Sequence, residues 1–546
     1  MLEEFFSPRS VAIIGASRQE QKLGYTVLAN ILEGGFPGNI YPINPGASEI
    51  LGQKCHSSIL DVPGPIDLAV IVVPRDAVAD AMRECALAKV SGAVVITAGF
   101  RETGVEGAEK EREIVRIGKD AGIRILGPNC LGVIDTYSSL NATFAAVAPI
   151  RGGISLLSQS GALCTSILDW AQREKVGFSK FVSVGNKADV DEIDLLEAMA
   201  KDPKTRVVVG YLEGISDGQR FLKTATEISR HKPIILMKSG TTSAGQRAVS
   251  SHTGSLAGSD AAYDAAFRQS GVVRADTLQD LFDYAVAFAR QPLPTGRRVA
   301  IVTNAGGPGI MAADACEKMG VQLASFTPQT IEKLRSGLPE AAGFYNPVDV
   351  LGDARSDRYQ LAVDTMMRDP NVDAVVVLLT PQAMTDIEEV GQVVAQAAAR
   401  GRKPIVASFM GGEKVYPGIA VMQAKQVPNY SFPERAVAAL ATMMNHREWR
   451  HAPKSQITRY EVNFDRAARI LQKAKEDGRY ALADEEARGI IDAYGLKVPR
   501  SELATSSDEA VAMAEAIGFP TVMKIASPDI LHKTDFGGVR VGQRSP

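Results

Sequence analysis

His252, one of only six histidines in the chain, sits within "SHTGSLAGSD" at 251–260. An imidazole accepts a phosphoryl group on one ring nitrogen when the other keeps its proton directed at a fixed acceptor, usually a carboxylate. The neighbours suit that chemistry. Ser251, Thr253 and Ser255 supply donors, and Gly254 and Gly258 let the backbone approach a ligand closely. Glu213, in "VVVGYLEGISDG", is the candidate acceptor, because it directly follows an apolar strand-like run and so emerges at a sheet edge. The plainer readings are a surface histidine in a polar loop and a solvated loop acid.

Two turns are matched to a small anion. Ser158-Gln159-Ser160-Gly161 and Asn304-Ala305-Gly306-Gly307-Pro308-Gly309 each open a helical pattern, where unpaired N–H groups and the positive dipole end attract negative charge. Taken singly, each also fits ordinary helix capping. Taken with His252, they form a candidate phosphate cradle of Ser160, Gly161, Gly307, Pro308 and Gly309, joined by Ser251, Thr253 and Gly254. A third turn, Gly15-Ala16-Ser17 followed by Lys22 and Gly24, reads as a nucleotide-type pocket or as tight packing alone. "YPINP", with Asn44 and Pro45, and "GPNCLG", with Asn129 and Cys130, add polar turns to it. There is no clean G-x-G-x-x-G and no ribose-binding acid after "GNIYPINP", which argues against a nicotinamide dehydrogenase.

The elements that must position these turns recur three times. "SVAIIGAS", "GGISLLSQSGA" and "RRVAIVTNAGGPG" each run from an apolar strand through small residues into a helix. Continuous Val/Ile runs such as "DLAVIVVP", "TRVVVGYLEG", "KPIILMKSG" and "DAVVVLLTP" predict strands buried on both faces of parallel sheets. The fold class is therefore α/β, with three successive open α/β domains. Their expected bounds are 1–145, 150–292 and 296–446, followed by a charged linker at 447–480 and a fourth α/β beginning at 481–546.

Composition narrows the function classes. Lys plus Arg number 60 and Asp plus Glu 63, a net charge of -3, so nothing general draws nucleic acid or an anionic membrane. The five cysteines show no C-x-x-C pair and no ligand spacing, which points to a reducing compartment without structural zinc. No apolar run reaches spanning length and no signal peptide is expected, so the expectation is a cytoplasmic protein.

In order along the chain, "IIGAS", "YPINP", "GPNCLG", "SQSG", "VGNKADVDEID", "YLEGI", "SHTGSLAG" and "TNAGGPGI" resemble the NDP-forming acyl-CoA synthetases. That is the ADP-forming acetate–CoA ligase family, related to succinyl-CoA synthetase. The resemblance implies a Rossmann-like CoA-binding domain, two flavodoxin-like succinyl-CoA synthetase-type domains and the beginning of an ATP-grasp domain. It implies an acid–thiol ligase that interconverts a carboxylic acid, CoA and ATP with acyl-CoA, ADP and phosphate. On that likeness His252 carries the phosphoryl group and Glu213 orients its ring, while Gly15, Ser17, Lys22, Asn44, Pro45, Asn129 and Cys130 face CoA. "SPDILHKTDFGGV" resembles the segment whose histidine, here His532, shuttles phosphate to the nucleotide, and Lys524 resembles a nucleotide-phosphate lysine. Mg²⁺ is expected with the nucleotide, but its carboxylate ligands belong to later ATP-grasp strands. The expectation is thus a truncated ATP-grasp domain, or a partner chain that supplies the remainder, with homo-oligomer formation as a further expectation. Two alternatives stand beside this reading: a non-catalytic CoA- or nucleotide-sensing module of the lysine acetyltransferase type, and a succinyl-CoA synthetase-like ligase.

Overall fold

A computed structural model describes residues 2–247, 259–453, 460–527, 530 and 533–546. They fall into two units, Met1–Ala452 and Pro453–Pro546.

In the first unit the apolar runs are strands at essentially complete burial. Asn39–Ile43, Ser10–Ile14, Leu68–Ile71, Gly92–Val95 and Arg124–Leu126 form one parallel sheet in that spatial order. Its direction of winding reverses between Ser10–Ile14 and Leu68–Ile71, the place where open α/β sheets generally take a ligand beyond the strand ends. The second sheet is ordered Val273–Arg274, Ile234–Lys238, Val207–Leu212, Arg151–Ser158, Phe178–Ser183, Gly132–Asp135 and Leu140–Thr143. Its last two strands are an antiparallel hairpin drawn from sequence before residue 150. The hairpin joins here because Asp135 stands opposite Lys180 in register and meets its ammonium at 2.7 Å. The third sheet carries Gln322–Leu323, Arg298–Thr303, Ala374–Leu379 and Ile405–Phe409, all parallel, with Val348–Asp349 beside Arg298–Thr303.

Helices Leu278–Arg290 and Pro433–His451 join the second and third sheets into one core that includes Phe282, Ile301, Leu440 and Met444. Thr277 starts the first of them with a capping box closed by Asp280. Arg435 of the second donates to both carboxylate oxygens of Asp283 at 2.7 Å each. The helix continues to His451, through the start of the stretch expected as linker, because that charged stretch hides an apolar face. His446 is only 4 % exposed, edge-on to Phe288 and stacked on Trp449.

Burial pushes the His446 imidazole down to about 4; the Arg450 charge adds to this and a hydrogen bond at the Gly271 backbone opposes it. The unfolded chain protonates this ring near 6.5 and the folded chain only near 4. The sign follows directly: stability is full above the unfolded value, falls as pH drops through that window, and levels off near the folded value. The shift corresponds to a loss of roughly 3 kcal/mol. In His446→Leu the fall in urea midpoint between about pH 7.5 and about pH 4.5 is smaller than in wild type; an equal fall would contradict the assignment.

The second unit holds helices Phe464–Glu476, Asp484–Ala493 and Ser507–Ile517 and an antiparallel pair, Thr521–Lys524 with Val539–Gln543. Apolar side chains on this pair stand open, Val522 at 52 % and Val541 at 74 % exposure. Among the described residues no helix is long and apolar enough to cross a membrane.

Candidate active site

The first turn lies where the first sheet reverses. Gly15 takes a φ of +96°, and a Cβ on Gly24 would lie 2.0 Å from the Gly15 carbonyl, so the helix Leu23–Glu33 can start this close only with glycine there. Ser17 is buried and its hydroxyl accepts from the Gln19 N–H at 3.0 Å. Lys22 is exposed at the helix start. Asn44 donates its amide to the Ala16 carbonyl at 2.7 Å and accepts from the Gly46 N–H at 2.8 Å, so it shapes the turn, with Pro45 exposed beside it.

The "GPNCLG" turn sits between the first two sheets. Asn129 is in the left-handed region at φ 59° and donates to Asn186 Oδ1 at 3.3 Å. Cys130 is 4 % exposed, donates to the Val95 carbonyl at 3.4 Å, and is pushed up to about 12 by burial. It packs the base of the turn as a protonated thiol rather than presenting a nucleophile.

The two anion-ready turns share one construction. Ser158, fully buried, accepts from the Ser160 N–H at 3.1 Å and donates to the Ser160 carbonyl at 3.0 Å. Thr303 does the same to Ala305, at 3.1 and 2.8 Å. In each case the last hydroxyl of the strand closes the turn, and the next residues start a helix, Gly161–Arg173 or Gly306–Lys318. Ser160 caps the first by accepting from the Leu163 N–H at 3.3 Å. In the second, Gly306 and Gly307 are exposed, a Cβ on Gly307 would meet nothing within 4 Å, and Gly309 is buried against Thr303 and Pro347. An anion has backbone access to these first turns, where the helix dipole favours it.

Glu213 is half-buried and immediately follows the strand Val207–Leu212. Gln159 clamps its backbone. The Gln159 side-chain oxygen accepts from the Glu213 and Gly214 N–H groups, the latter at 3.1 Å, and its amide donates to the Gly214 carbonyl at 3.0 Å. Lys238, 4 % exposed, ends the neighbouring strand; burial lowers its pKa, and the charges of Asp260 and Glu213 oppose that. The segment bearing His252 runs between Lys238 and the helix Asp260–Ser270. His252, Ser251, Thr253 and Gly254 lie outside the described residues, as does His532.

In the second unit Lys524 ends its strand and pairs with Asp484 at 3.5 Å, alongside Lys533 at 3.8 Å. Among the described residues no group of three or more His, Cys, Asp or Glu side chains is placed to hold a metal ion. Sequence reasoning placed Ser158 and Gln159 in an anion-ready turn without their bracing roles, and missed Lys187 and Thr303. The Ser/Thr two residues ahead of each cap was an available signal, since such hydroxyls bond their own backbone two residues on.

Residues 9–136 match the CoA-binding domain family, 151–288 the succinyl-CoA ligase-like flavodoxin domain, 299–454 the ligase-CoA domain and 473–546 the ATP-grasp domain. This domain content, on two parallel sheets and one mixed sheet with anion-ready turns, is that of the CoA ligases. An ADP-forming acetate–CoA ligase I of Archaeoglobus fulgidus is 44 % identical over 543 residues, covering 99 % of this chain and 77 % of its own length. An ADP-forming 4-hydroxybutyrate–CoA ligase of Nitrosopumilus maritimus is 41 % identical over 539 residues, 98 % of this chain and 77 % of its own. Among solved structures, a dinucleotide-forming acetyl-coenzyme A synthetase 1 of Ca. Korarchaeum cryptofilum in complex with phosphate and ADP superposes with a TM-score of 0.79. It is 39 % identical, and the match covers 82 % of this chain and 97 % of that one. The chain belongs to the ADP-forming acetate–CoA ligase family, a family of acid–thiol ligases.

Proposed function

We propose that this chain interconverts a small carboxylic acid, CoA and ATP with acyl-CoA, ADP and phosphate by way of phosphoryl-His252. In the acyl-forming direction a carboxylate oxygen attacks phosphorus and the P–N bond breaks, returning its electron pair to the ring. The CoA thiolate then attacks the carbonyl carbon of the acyl phosphate, and inorganic phosphate leaves with the electron pair of the C–O bond. Throughout, the other ring nitrogen keeps its proton directed at Glu213, which holds the tautomer and offsets the positive charge of the phosphorylated ring. The helix starts at Ser160–Gly161 and Gly307–Gly309 bind the departing phosphate. Ser17 and Lys22 hold CoA, with Asn129 where thioester and phosphate chemistry meet. His532 carries phosphate onward, and Lys524 binds nucleotide phosphate.

One observation carries this reading: Ser160, Glu213 and Lys238 follow or end three neighbouring parallel strands of the second sheet, with Asp260 close enough to act on the Lys238 charge. The open apolar strands of the second unit support a covering partner, either further ATP-grasp strands or a second copy. The scattered, buried free cysteines support a cytoplasmic setting.

The test incubates the protein with acetyl-CoA and radiolabelled phosphate, a direction that needs no nucleotide. Acid-labile label appears on wild type and is lost in His252→Ala; label that persists without the histidine sinks the phosphohistidine. A parallel panel with ATP, Mg²⁺, CoA and acetate, propionate, 4-hydroxybutyrate or an aryl acid identifies the acid, because selection among these depends on pocket shape.

A further inference from the structure

The motif "VGNKADVDEID" contributes no residue to the chemistry above, yet its turn is built with unusual constraint. Gly185 takes φ +60°, and a Cβ there would come within 2.2 Å of the Pro128 carbonyl oxygen. Lys187, not a glycine, also lies in the left-handed region at φ 56°, a conformation that surrounding contacts must impose. Those contacts run both ways from adjacent residues. Asn186 donates its backbone N–H to the Pro128 carbonyl at 2.9 Å, accepts from Asn129, and donates its amide to Glu102 at 2.6 Å and Glu111 at 2.8 Å. Lys187 points to the other site. Its ammonium donates to the Gly214 carbonyl at 2.9 Å and to Glu192 at 2.8 Å, with its side chain 11 % exposed and that of Glu192 fully buried. Glu192 in turn accepts from the Ser216 N–H at 3.3 Å.

Gly214 is the residue directly after Glu213, and Gln159 donates to the same Gly214 carbonyl while its oxygen accepts from the Glu213 and Gly214 N–H groups. We propose that Lys187 is a positioning residue for phosphoryl transfer, a charged clamp that fixes the Glu213–Ser216 turn and through it the acceptor of the His252 ring proton. This rests on the reading that Glu213 orients His252. Adjacent residues 186 and 187 then set the CoA-side Asn129 and the phosphoryl-side Glu213 from one rigid turn.

A purely structural role, neutralising the buried Glu192, makes a different prediction. The test uses the full chain and two readouts on acetyl-CoA: labelling by radioactive phosphate, and hydrolysis driven by arsenate. Arsenate replaces phosphate in attacking the thioester, and the acyl arsenate falls apart in water, so that readout bypasses His252. The key variant is Lys187→Met combined with Glu192→Gln, which leaves no unpaired buried charge. Its labelling rate falls about 100-fold, the scale of a small misplacement of a catalytic group, while arsenate-driven hydrolysis stays within about threefold. Lys187→Arg, which can still reach the carbonyl, recovers labelling to within about tenfold of wild type. Labelling within about threefold of wild type in the double variant overturns the proposal, as does an equal fall in both readouts. If wild type drives arsenate hydrolysis but takes no label, or keeps its label in His252→Ala, the underlying reading fails and this proposal falls with it.

Discussion

Replacing Glu213 by Gln lowers phosphorylation of the enzyme from acetyl-CoA and phosphate by about a thousandfold and leaves arsenate-driven hydrolysis of acetyl-CoA nearly unchanged. Gln159 and Lys187 hold the Glu213–Gly214 peptide through main-chain atoms, so the substitution leaves the turn in place. What it removes is the charge. A neutral imidazole that takes on a phosphoryl group becomes cationic, and in a half-buried setting an amide offsets that far less than a carboxylate. An amide also presents an N–H to the ring as readily as an oxygen, so it no longer selects one tautomer. An amide in place of the triad aspartate of a serine protease costs about ten thousandfold by the same logic, and the looser, partly solvated geometry here sets a smaller figure. Measured single-turnover labelling is the check. If both readouts fall together, Glu213 acts on the CoA side or in folding, and its assignment to His252 is wrong.

The strands and small-residue turns were legible because an unbroken Val/Ile run followed by Gly, Ser or Asn allows few local structures other than a buried strand and its exit. Gly15, Ser160 and Gly307 were found that way. The long-range ties were not legible. Asn186 meets Asn129 across 57 residues and Lys187 meets Gly214 across 27, and no local propensity encodes either. The hairpin 132–143 reads as part of the first domain, since chain neighbours usually pair; its backbone pairing with Phe178–Ser183 and the ion pair to Lys180 put it in the other sheet. His446 was hidden by composition. In "NHREWRH" the charges dominate, but Leu440, Met443 and His446 recur three apart and are buried together, a helical period inside a polar stretch. Asn44 and Cys130 were found by motif alone, and motif position does not say whether a side chain faces the ligand or braces the turn.

Where that hairpin joins its sheet, a single substitution on the neighbouring strand costs the fold heavily. In Lys180→Met the ammonium that donates to Asp135 and Asp202 at 2.7 Å each is lost, leaving two carboxylates whose side chains are 3 % and 10 % exposed. Removing one partner from a buried ionic cluster costs about 3–5 kcal/mol, because the remaining charges stay dehydrated without compensation. The damage spreads along the elements the cluster joins. Asp135 also accepts from the Tyr137 and Ser138 N–H groups at 2.9 Å, and Ser138 donates to the Phe6 carbonyl at 2.7 Å, which ties down the N-terminal helix Glu3–Phe6. The turn carrying Asn129 leads directly into this hairpin, so its loosening raises the KM for CoA as well as lowering the urea midpoint. Adding Asp135→Asn and Asp202→Asn removes both stranded charges but keeps oxygens for the Tyr137, Ser138 and Lys204 N–H groups. The triple variant therefore recovers more than half of the lost stability, since a buried ionic cluster replaced as a whole is often close to neutral. If the triple variant is no more stable than Lys180→Met, then the lost packing of the lysine stem over Phe6, whose ring lies 5.0 Å from the ammonium, outweighs the electrostatics.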